Sequence, residues 1–254
     1  MLAPERRNRI IQILNENRQL LVKDVSIELG VSEGTLRNDL KILEEDGLLE
    51  RTHGGAVLPK QHIPEYTFQS RIMANQEEKR MIGKAAAQFV QNGQCIILDA
   101  SSTSLELARH LVQYDYLTVI TNGLATAQEL VSNPHISVIV VGGVLRPGSS
   151  SLEGMLGKGL LSQIHADIFF TSAHGFTTTA GLADFSIYEA ELKKLMVSNV
   201  SKVVALLDHT KLNRRSITSF ADMSQIDTLI TDPGADPEFL KTLTGIEVII
   251  ADDK

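Results

Sequence analysis

Apolar positions recur along the chain in two rhythms, and the change falls near residue 60. Before it, Ile10, Ile11 and Leu14 keep helical spacing behind Pro4, whose fixed φ suits a first turn, so a helix is predicted over roughly residues 4–16. Leu20-Leu21-Val22 is an apolar run too brief for a core of its own. Asp24 opens a second predicted helix with Val25 and Leu29 on one face, and Gly30 ends it as a left-handed C-terminal residue. Ser32 suits the N-cap of a third helix, with Glu33 in its first turn. Leu36, Leu40 and Leu43 form that helix's buried stripe, leaving Thr35, Arg37, Asn38 and Lys41 on outward faces until Asp46-Gly47 stops it. Two strand-like runs, Leu48–Thr52 and Ala56–Leu58, flank His53-Gly54-Gly55 and predict a hairpin.

The second rhythm follows a polar connection carrying Pro59, Lys60-Gln61-His62 and Pro64. Residues 77–92 predict a helix with Ile82, Ala85, Ala86 and Phe89 turned inward, ending near Asn92-Gly93. From Cys95 onward, short apolar runs alternate with helical stretches. The runs are Cys95–Leu98, Leu117–Ile120, Val138–Val141, Ile168–Phe170, Val203–Leu207, Thr228–Ile230 and Val248–Ile250. Continuous apolar runs joined by helices predict parallel strands covered on both faces, hence an α/β architecture. The expected organisation is residues 1–58 as one domain, 59–76 as linker and bridge, and 77–254 as a second domain.

The chain turns small and polar directly after each of six runs: Asp99–Ser104, Thr121–Gly123, Gly142-Gly143, Ala173–Phe176, Asp208–Lys211 and Thr231-Asp232. Open parallel sheets bind ligands at the carboxyl ends of their strands, so these loops predict a polar pocket. The first loop leads straight into the helical stretch Leu105–Arg109. Hydroxyls and backbone N–H groups at a helix N-terminus suit a phosphate. The glycine spacing of a P-loop or dinucleotide fingerprint is absent, so a single phosphate on a small ligand fits better than a nucleotide. Lys193 and Lys211 are the candidate counter-cations, although an ordinary solvated lysine would look the same in sequence.

Composition narrows the picture. The chain has 254 residues, 43% hydrophobic and 22% charged, which excludes a mainly disordered protein. It carries one cysteine, lacks an eighteen-residue apolar run, and its first residues lack a signal-peptide core, so a cytoplasmic protein without disulfides or a membrane span is expected. Cys95 begins an apolar run and is expected to pack in the interior. The seven histidines are scattered without ligand spacing, and neither a metal nor a cofactor is expected. Net charge is −7, but residues 1–60 hold nine Lys/Arg against ten Asp/Glu, with basic residues and acidic residues in separate groups. A small DNA-binding module is compatible with this, because binding depends on where charge sits.

Three helices with a tight turn before the third, then a hairpin, make a winged helix-turn-helix pattern. A small helical core with a solvated third helix would share the spacing. The wording is more specific. Val31–Leu40, Leu43-Glu44 and Gly47–Ala56 closely resemble the DNA-binding domain of the DeoR family of bacterial sugar-metabolism regulators. The resemblance implies a third helix in the major groove, with Ser32, Glu33, Thr35, Arg37, Asn38 and Lys41 at or near the bases. Arg6, Arg7, Arg51 and His53 would meet phosphates from the first helix and the wing. Asn38 stands where the family usually has a second arginine, and Gly34 where a larger residue is common.

Phe68, Arg71 and Glu78-Lys79 resemble the family's bridging helix into the second domain, and the resemblance continues through Asp99–Ser104, Thr121-Asn122, Gly142–Arg146, Gly181-Leu182 with Glu189–Lys193, and Asp208–Lys211. It implies an effector domain with a fold similar to ribose-5-phosphate isomerase and a phosphorylated sugar or polyol as ligand. The implied contacts are Asp99, Ser101, Ser102, Thr103, Ser104, Asn122, Gly143, Lys193 and Lys211. This chain departs from the family pattern at Ala100-Ser101-Ser102 and at the histidine of Ala173-His174-Gly175. The expected function is a DNA-binding regulator, a repressor, acting as a homodimer or homotetramer on double-stranded operator DNA. The alternative is a phosphosugar isomerase with Glu189 or Glu191 as base and Lys193 as electrostatic stabiliser. Against it, the loop at His174 lacks the paired carboxylates of the related isomerases, so the protein is expected not to be an enzyme.

Overall fold

The computed structural model describes residues 6–7, 9–10, 13–14, 19–45, 49–57, 67–146 and 148–252. Pro4, Ile11, Asp46-Gly47, Leu48, Leu58 and the linker residues 59–66 lie outside the described residues. The chain divides into two units, Met1–Glu65 and Tyr66–Lys254.

In the first unit Arg6, Arg7, Arg9, Ile10, Ile13 and Leu14 are helical. Strand β1 (Gln19–Leu21) leads directly into helix α1 (Val22–Leu29). The predicted start at Asp24 is therefore two residues late. Leu20 was taken as leftover apolar sequence, but β1 pairs antiparallel with β3 (Gly55–Val57), and the helix begins where that pairing ends. Strand β2 (Glu50–Arg51) pairs on the other side, giving the order β1-β3-β2. Gly55 is required by this closure, because a Cβ there would lie 1.8 Å from the Leu20 carbonyl oxygen. Gly30 caps α1 at φ 63°, the left-handed conformation that glycine adopts without strain. Helix α2 (Glu33–Glu45) buries Leu36, Leu40 and Leu43 against Ile10, Leu14, Leu49 and Ala56. Each fully buried leucine contributes about 1.5–3 kcal/mol by leaving water.

The second unit is built on seven strands, one from each predicted apolar run: β4 (Cys95–Leu98), β5 (Leu117–Thr121), β6 (Ile136–Val140), β9 (Ala166–Thr171), β12 (Val200–Leu206), β14 (Thr228–Thr231) and β15 (Glu247–Ile250). They pair in the order β15-β14-β12-β9-β4-β5-β6, every neighbouring pair parallel. Strand alternation sends Ile97, Phe169, Ala205 and Leu229 to one face and Ile96, Leu98, Phe170, Val204 and Ile230 to the other. The second face is covered by helices α4 (Gln76–Ala87), α5 (Ser102–Leu111) and α6 (Leu124–Leu130). Helix α4 is shorter than the predicted 77–92 and ends at Ala87. The first face is covered by helix α8 (Ile187–Ser198) and by a second sheet absent from the prediction: β10 (Gly175–Thr177), β11 (Gly181–Asp184) and β13 (Thr218–Ala221). Two two-residue strands, β7 (Val144–Leu145) and β8 (Leu152–Glu153), form a small hairpin, and short helix α7 (Lys158–Leu161) follows. Helix α3 (Phe68–Met73) precedes α4, with Asn75 between them at φ 50°.

Candidate functional site

In the first unit, Ser32 caps α2 as predicted, its Oγ accepting from Thr35 N at 3.1 Å. Ser32, Glu33, Thr35, Arg37, Asn38 and Lys41 are all exposed, as are Arg51 and His53 near the hairpin turn. Arg37 is paired with Glu33 one turn earlier at 3.1 Å, and Arg51 with Glu44 at 2.7 Å. Both pairs are exposed, so their energies are small and a phosphate can displace the carboxylate. Arg6 and Arg7 are placed differently. Their Nε atoms lie 2.5 and 3.2 Å from the carboxylate of Asp39, which is 2% exposed. Asp39 thus ties the first helix to α2, a role that composition gave no reason to suspect.

In the second unit the predicted loops converge at the carboxyl ends of the central strands. Asp99, fully buried, is the hub. Its Oδ1 accepts from Ser101 N at 3.1 Å and Ser104 Oγ at 2.6 Å, and its Oδ2 from Thr171 Oγ1 at 2.8 Å and Ser172 N at 2.9 Å. Lys193 Nζ lies 2.9 Å from Asp99 Oδ2 and donates to Asp184 Oδ2 at 2.7 Å and to the Ser172 carbonyl at 2.8 Å. Burial opposes the Asp99 charge but is outweighed by Lys193 and by the bonds from Ser101 and Ser104, so its pKa lies below the ordinary carboxylate value. Burial likewise opposes the Lys193 charge, yet Asp184, Asp99 and Glu189 raise its pKa. The ammonium is therefore engaged on protein partners, and Lys193 is 2% exposed.

The loop's capping geometry sorts its hydroxyls. Ser101 Oγ accepts from Ser104 N and donates to Ser104 Oγ. Ser102 and Thr103, at the first turn of α5, have N–H groups without partners among the described residues. Asn122 donates through Nδ2 to Ser151 Oγ at 3.0 Å and the Leu152 carbonyl at 3.2 Å, which fixes the amide's orientation and leaves its buried Oδ1 without a partner. Gly143 is needed for packing, since a Cβ there would lie 2.5 Å from the Glu153 carbonyl oxygen.

Cations that the sequence did not offer as ligand contacts also face this end of the sheet. Lys79 of α4, 5% exposed, donates to the carbonyls of Arg71 and Ala74. Burial, partly offset by Asp208 and reinforced by Lys211 and Arg71, brings its pKa down to about 8. Arg71 packs its guanidinium over Phe68 at 5.4 Å, and its buried Nε has no hydrogen-bond partner. Asn75 Nδ2 donates to Asp208 Oδ1 at 3.0 Å and Thr210 Oγ1 at 3.3 Å, tying the α3–α4 junction to the loop that carries Lys211. The Lys211 side chain forms no hydrogen bond or ion pair among the described residues, while its backbone N–H donates to the Asp208 carbonyl at 3.0 Å. Arg71 stood out in sequence only as part of the bridging-helix resemblance, and Arg214 carried no periodic or motif signal. They are brought here by topology. Among the described residues no group of three or more His, Cys, Asp or Glu could hold a metal, and no helix is long and apolar enough to cross a membrane.

A helix-turn-helix unit with its polar helix face exposed, joined to a parallel-sheet unit whose strand ends gather positive charge, defines a ligand-sensing DNA-binding transcriptional regulator. Comparison with known proteins agrees. A family model described as a DeoR-like helix-turn-helix domain matches residues 6–62, and one described as a DeoR C terminal sensor domain matches residues 74–233. The chain belongs to the DeoR family. It is 51% identical over 232 residues to the HTH-type transcriptional regulator GolR of Listeria innocua, covering 91% of each. It is 27% identical to the glycerol-3-phosphate regulon repressor of Escherichia coli (strain K12), covering 96% of each. Among solved structures it is similar to ribose 5-phosphate isomerase A of Methanocaldococcus jannaschii, with a TM-score of 0.41, 18% identity and 55% of each chain covered.

Proposed function

We propose that this regulator is a repressor of a sugar- or polyol-metabolism operon, and that a phosphorylated sugar or polyol bound at the carboxyl ends of its central strands modulates its hold on operator DNA. The observation that carries the effector half is the buried, partnerless Nε of Arg71, set beside Lys79 and Lys211. A buried charged donor left without an acceptor is costly, and an anionic ligand supplies one. The Ser102 and Thr103 N–H groups at the α5 N-terminus would take the phosphate, and Lys211 would balance its charge. Asn122 would accept from a ligand hydroxyl. Asp99, Ser101, Ser104 and Lys193 form the frame beneath, and Gly143 seats the adjoining hairpin. The name of the Escherichia coli relative, a glycerol-3-phosphate regulon repressor, supports this ligand class.

On DNA, Ser32, Glu33, Thr35, Arg37, Asn38 and Lys41 would enter the major groove, with Arg51 and His53 on phosphates and Arg6 and Arg7 bracing the first helix at the backbone. Reading two half-sites calls for a homodimer or homotetramer, working in the cytoplasm. The effector would act by differential affinity for two arrangements, a coupling of about 1–3 kcal/mol that changes operator affinity roughly 5–150-fold. Fluorescence-anisotropy titration of the full chain on the DNA preceding its own operon, with and without a panel of phosphorylated sugars and polyols, tests this. A shift of that size with a phosphate ester, and none with its unphosphorylated parent, is expected. Operator binding that ignores the whole panel sinks the effector half.

A second reading, the isomerase, is favoured by one observation. Burial raises the Glu189 carboxyl, against the pull of Lys193, to about 7, where a general base works best. Incubation with a phosphopentose panel tests it, and turnover at ordinary enzyme rates would promote it.

A further inference from the structure

We propose that His174 and Arg214 act as a pair in this cleft: Arg214 is a further guanidinium for the effector's anionic group, and His174 is a positioning residue that aims it only while its ring is neutral. This rests on the effector reading above.

His174 follows β9, the middle strand of the seven. Its ring is fixed on three sides. Nδ1 lies 3.0 Å from Ser216 Oγ, Nε2 lies 3.2 Å from Arg214 Nη2, and Phe185 meets the ring edge-on at 5.4 Å. An arginine can only donate, so Nε2 must accept. The single proton of the neutral ring then sits on Nδ1 and is donated to Ser216. The backbone holds the partners in register. Arg214 N donates to the Phe176 carbonyl at 3.2 Å, and a Cβ on Gly175 would lie 2.3 Å from the Arg214 carbonyl oxygen. The loop carrying Arg214 is therefore pressed flat against the strand that follows His174. The Arg214 side of the pair is exposed, and its remaining N–H donors are open to an anion.

The charges facing the ring are Arg214 and Lys211 from the loop after β12, Arg71 from α3, and the single carboxylate Asp184 at the end of β11, itself bonded to Lys193. Partial burial first, then Arg214 and Lys211, lower the histidine's pKa from its ordinary value, so the neutral ring is the resting form. Protonation converts the acceptor into a donor and sets two cations face to face. The guanidinium then has to leave its position.

A phosphate monoester itself titrates near pH 6, so affinity for any such ligand falls in acid for a trivial reason. The test separates the two. Calorimetric titrations of the full chain with glycerol 3-phosphate, ribose 5-phosphate and fructose 6-phosphate are run from about pH 5 to about pH 8. Wild type, His174→Gln and Arg214→Ala are compared on the ester that binds wild type best. Arg214→Ala is expected to lose roughly tenfold in affinity at neutral pH, the value of one charge-assisted hydrogen bond. His174→Gln keeps an acceptor for Arg214 without a titrating group. It is expected to retain most of the neutral affinity and to show only the ligand's own fall in acid, whereas wild type falls more steeply. Undiminished binding by Arg214→Ala, or a His174→Gln profile as steep as wild type's, overturns the pair while leaving the effector reading intact. A wild type that binds none of the three esters overturns both.

Discussion

Lys193 and Glu189 show how burial changes what a charged residue means. A lysine four residues after a glutamate on a helix reads in sequence as a solvated pair or a ligand cation. Here both side chains are inside, 3.9 Å apart, with Asp99 and Asp184 on the same ammonium. Three carboxyl groups around one cation exceed what it can neutralise, and Glu189, the most distant, is the one whose proton is retained. Its folded pKa of about 7 lies above the ordinary 4.5, so the folded state binds the extra proton. The stability this group contributes is fully present below about pH 4.5 and is lost as pH rises through about 7. Glu189→Gln removes the titration and keeps the shape. Urea denaturation should find the variant similar to wild type near pH 5 and more stable than wild type near pH 8.5, by roughly 1–3 kcal/mol if a buried carboxylate is being relieved. Equal stabilities at both pH values would show that the carboxyl ionises without penalty. The companion shift at Asp99 runs the other way, its contribution being present above the ordinary carboxylate pKa and lost in strong acid, so it leaves this window untouched.

At the scale of elements, the α3–α4 junction near the start of the sensor unit is one of three places among the described residues where a non-glycine backbone is left-handed. Asn75 holds a left-handed backbone at φ 50° that a residue with a side chain adopts unwillingly, and its amide meets the Asp208 carboxylate. Asn75→Ala should cost about 2–3 kcal/mol, the sum of left-handed strain and a lost hydrogen bond to a charged group. Asn75→Gly should cost less, because it restores the backbone freedom while losing only the bond. Chemical denaturation of the two variants checks the order, and a glycine variant weaker than the alanine one would refute it. The sheet strands were legible because each carries a continuous apolar run, and the central ones, β4, β9, β12 and β14, are largely buried beneath helices or the second sheet. The edge strands β6 and β15 were legible by the same continuity although Val140 and Ile250 are exposed. The elements that were not legible lack a continuous apolar run or, in β1, hold one too brief to stand out. Strand β1 is three residues long, and only Leu20 of it faces the core. Strands β10, β11 and β13 contain Gly, Thr, Ser and Asp, whose polar groups are satisfied by contacts no local pattern displays. The same holds for the site. Asp99, the Ser101–Ser104 cap and Asn122 follow strands and could be found by position, whereas Arg71 was legible only as part of a bridging helix and Arg214 comes from a segment with no local signature.

At the scale of the whole molecule, net charge and function point in opposite directions, and the distribution of charge resolves them. A chain at −7 is repelled by DNA as a distant object, and 21 of its acids lie beyond residue 60. The first unit is close to neutral, and it sorts its charges. Asp39 holds Arg6 and Arg7 together in a part-buried contact that keeps one net positive charge, while Arg37 and Arg51 sit on exposed carboxylates that exchange readily for phosphate. The proposed binding mode therefore relies on a few short-range phosphate contacts per unit, doubled if the protein assembles on two half-sites, and not on a long-range basic field. Such contacts release counterions, so operator affinity of the full chain should fall linearly on a log–log plot against salt. With six to ten phosphates engaged across a dimer, the loss is roughly 10³–10⁵-fold between about 50 and about 200 mM. Arg51→Ala should weaken operator and unrelated duplex alike and lower the slope by about one per site removed. Arg37→Ala should instead lose about 1–3 kcal/mol on the operator alone if it reads a base edge. Anisotropy titrations at four salt concentrations separate these cases. A flat response would mean that the exposed arginines keep their carboxylates on DNA and that the groove-facing helix is docked by something other than phosphate contacts.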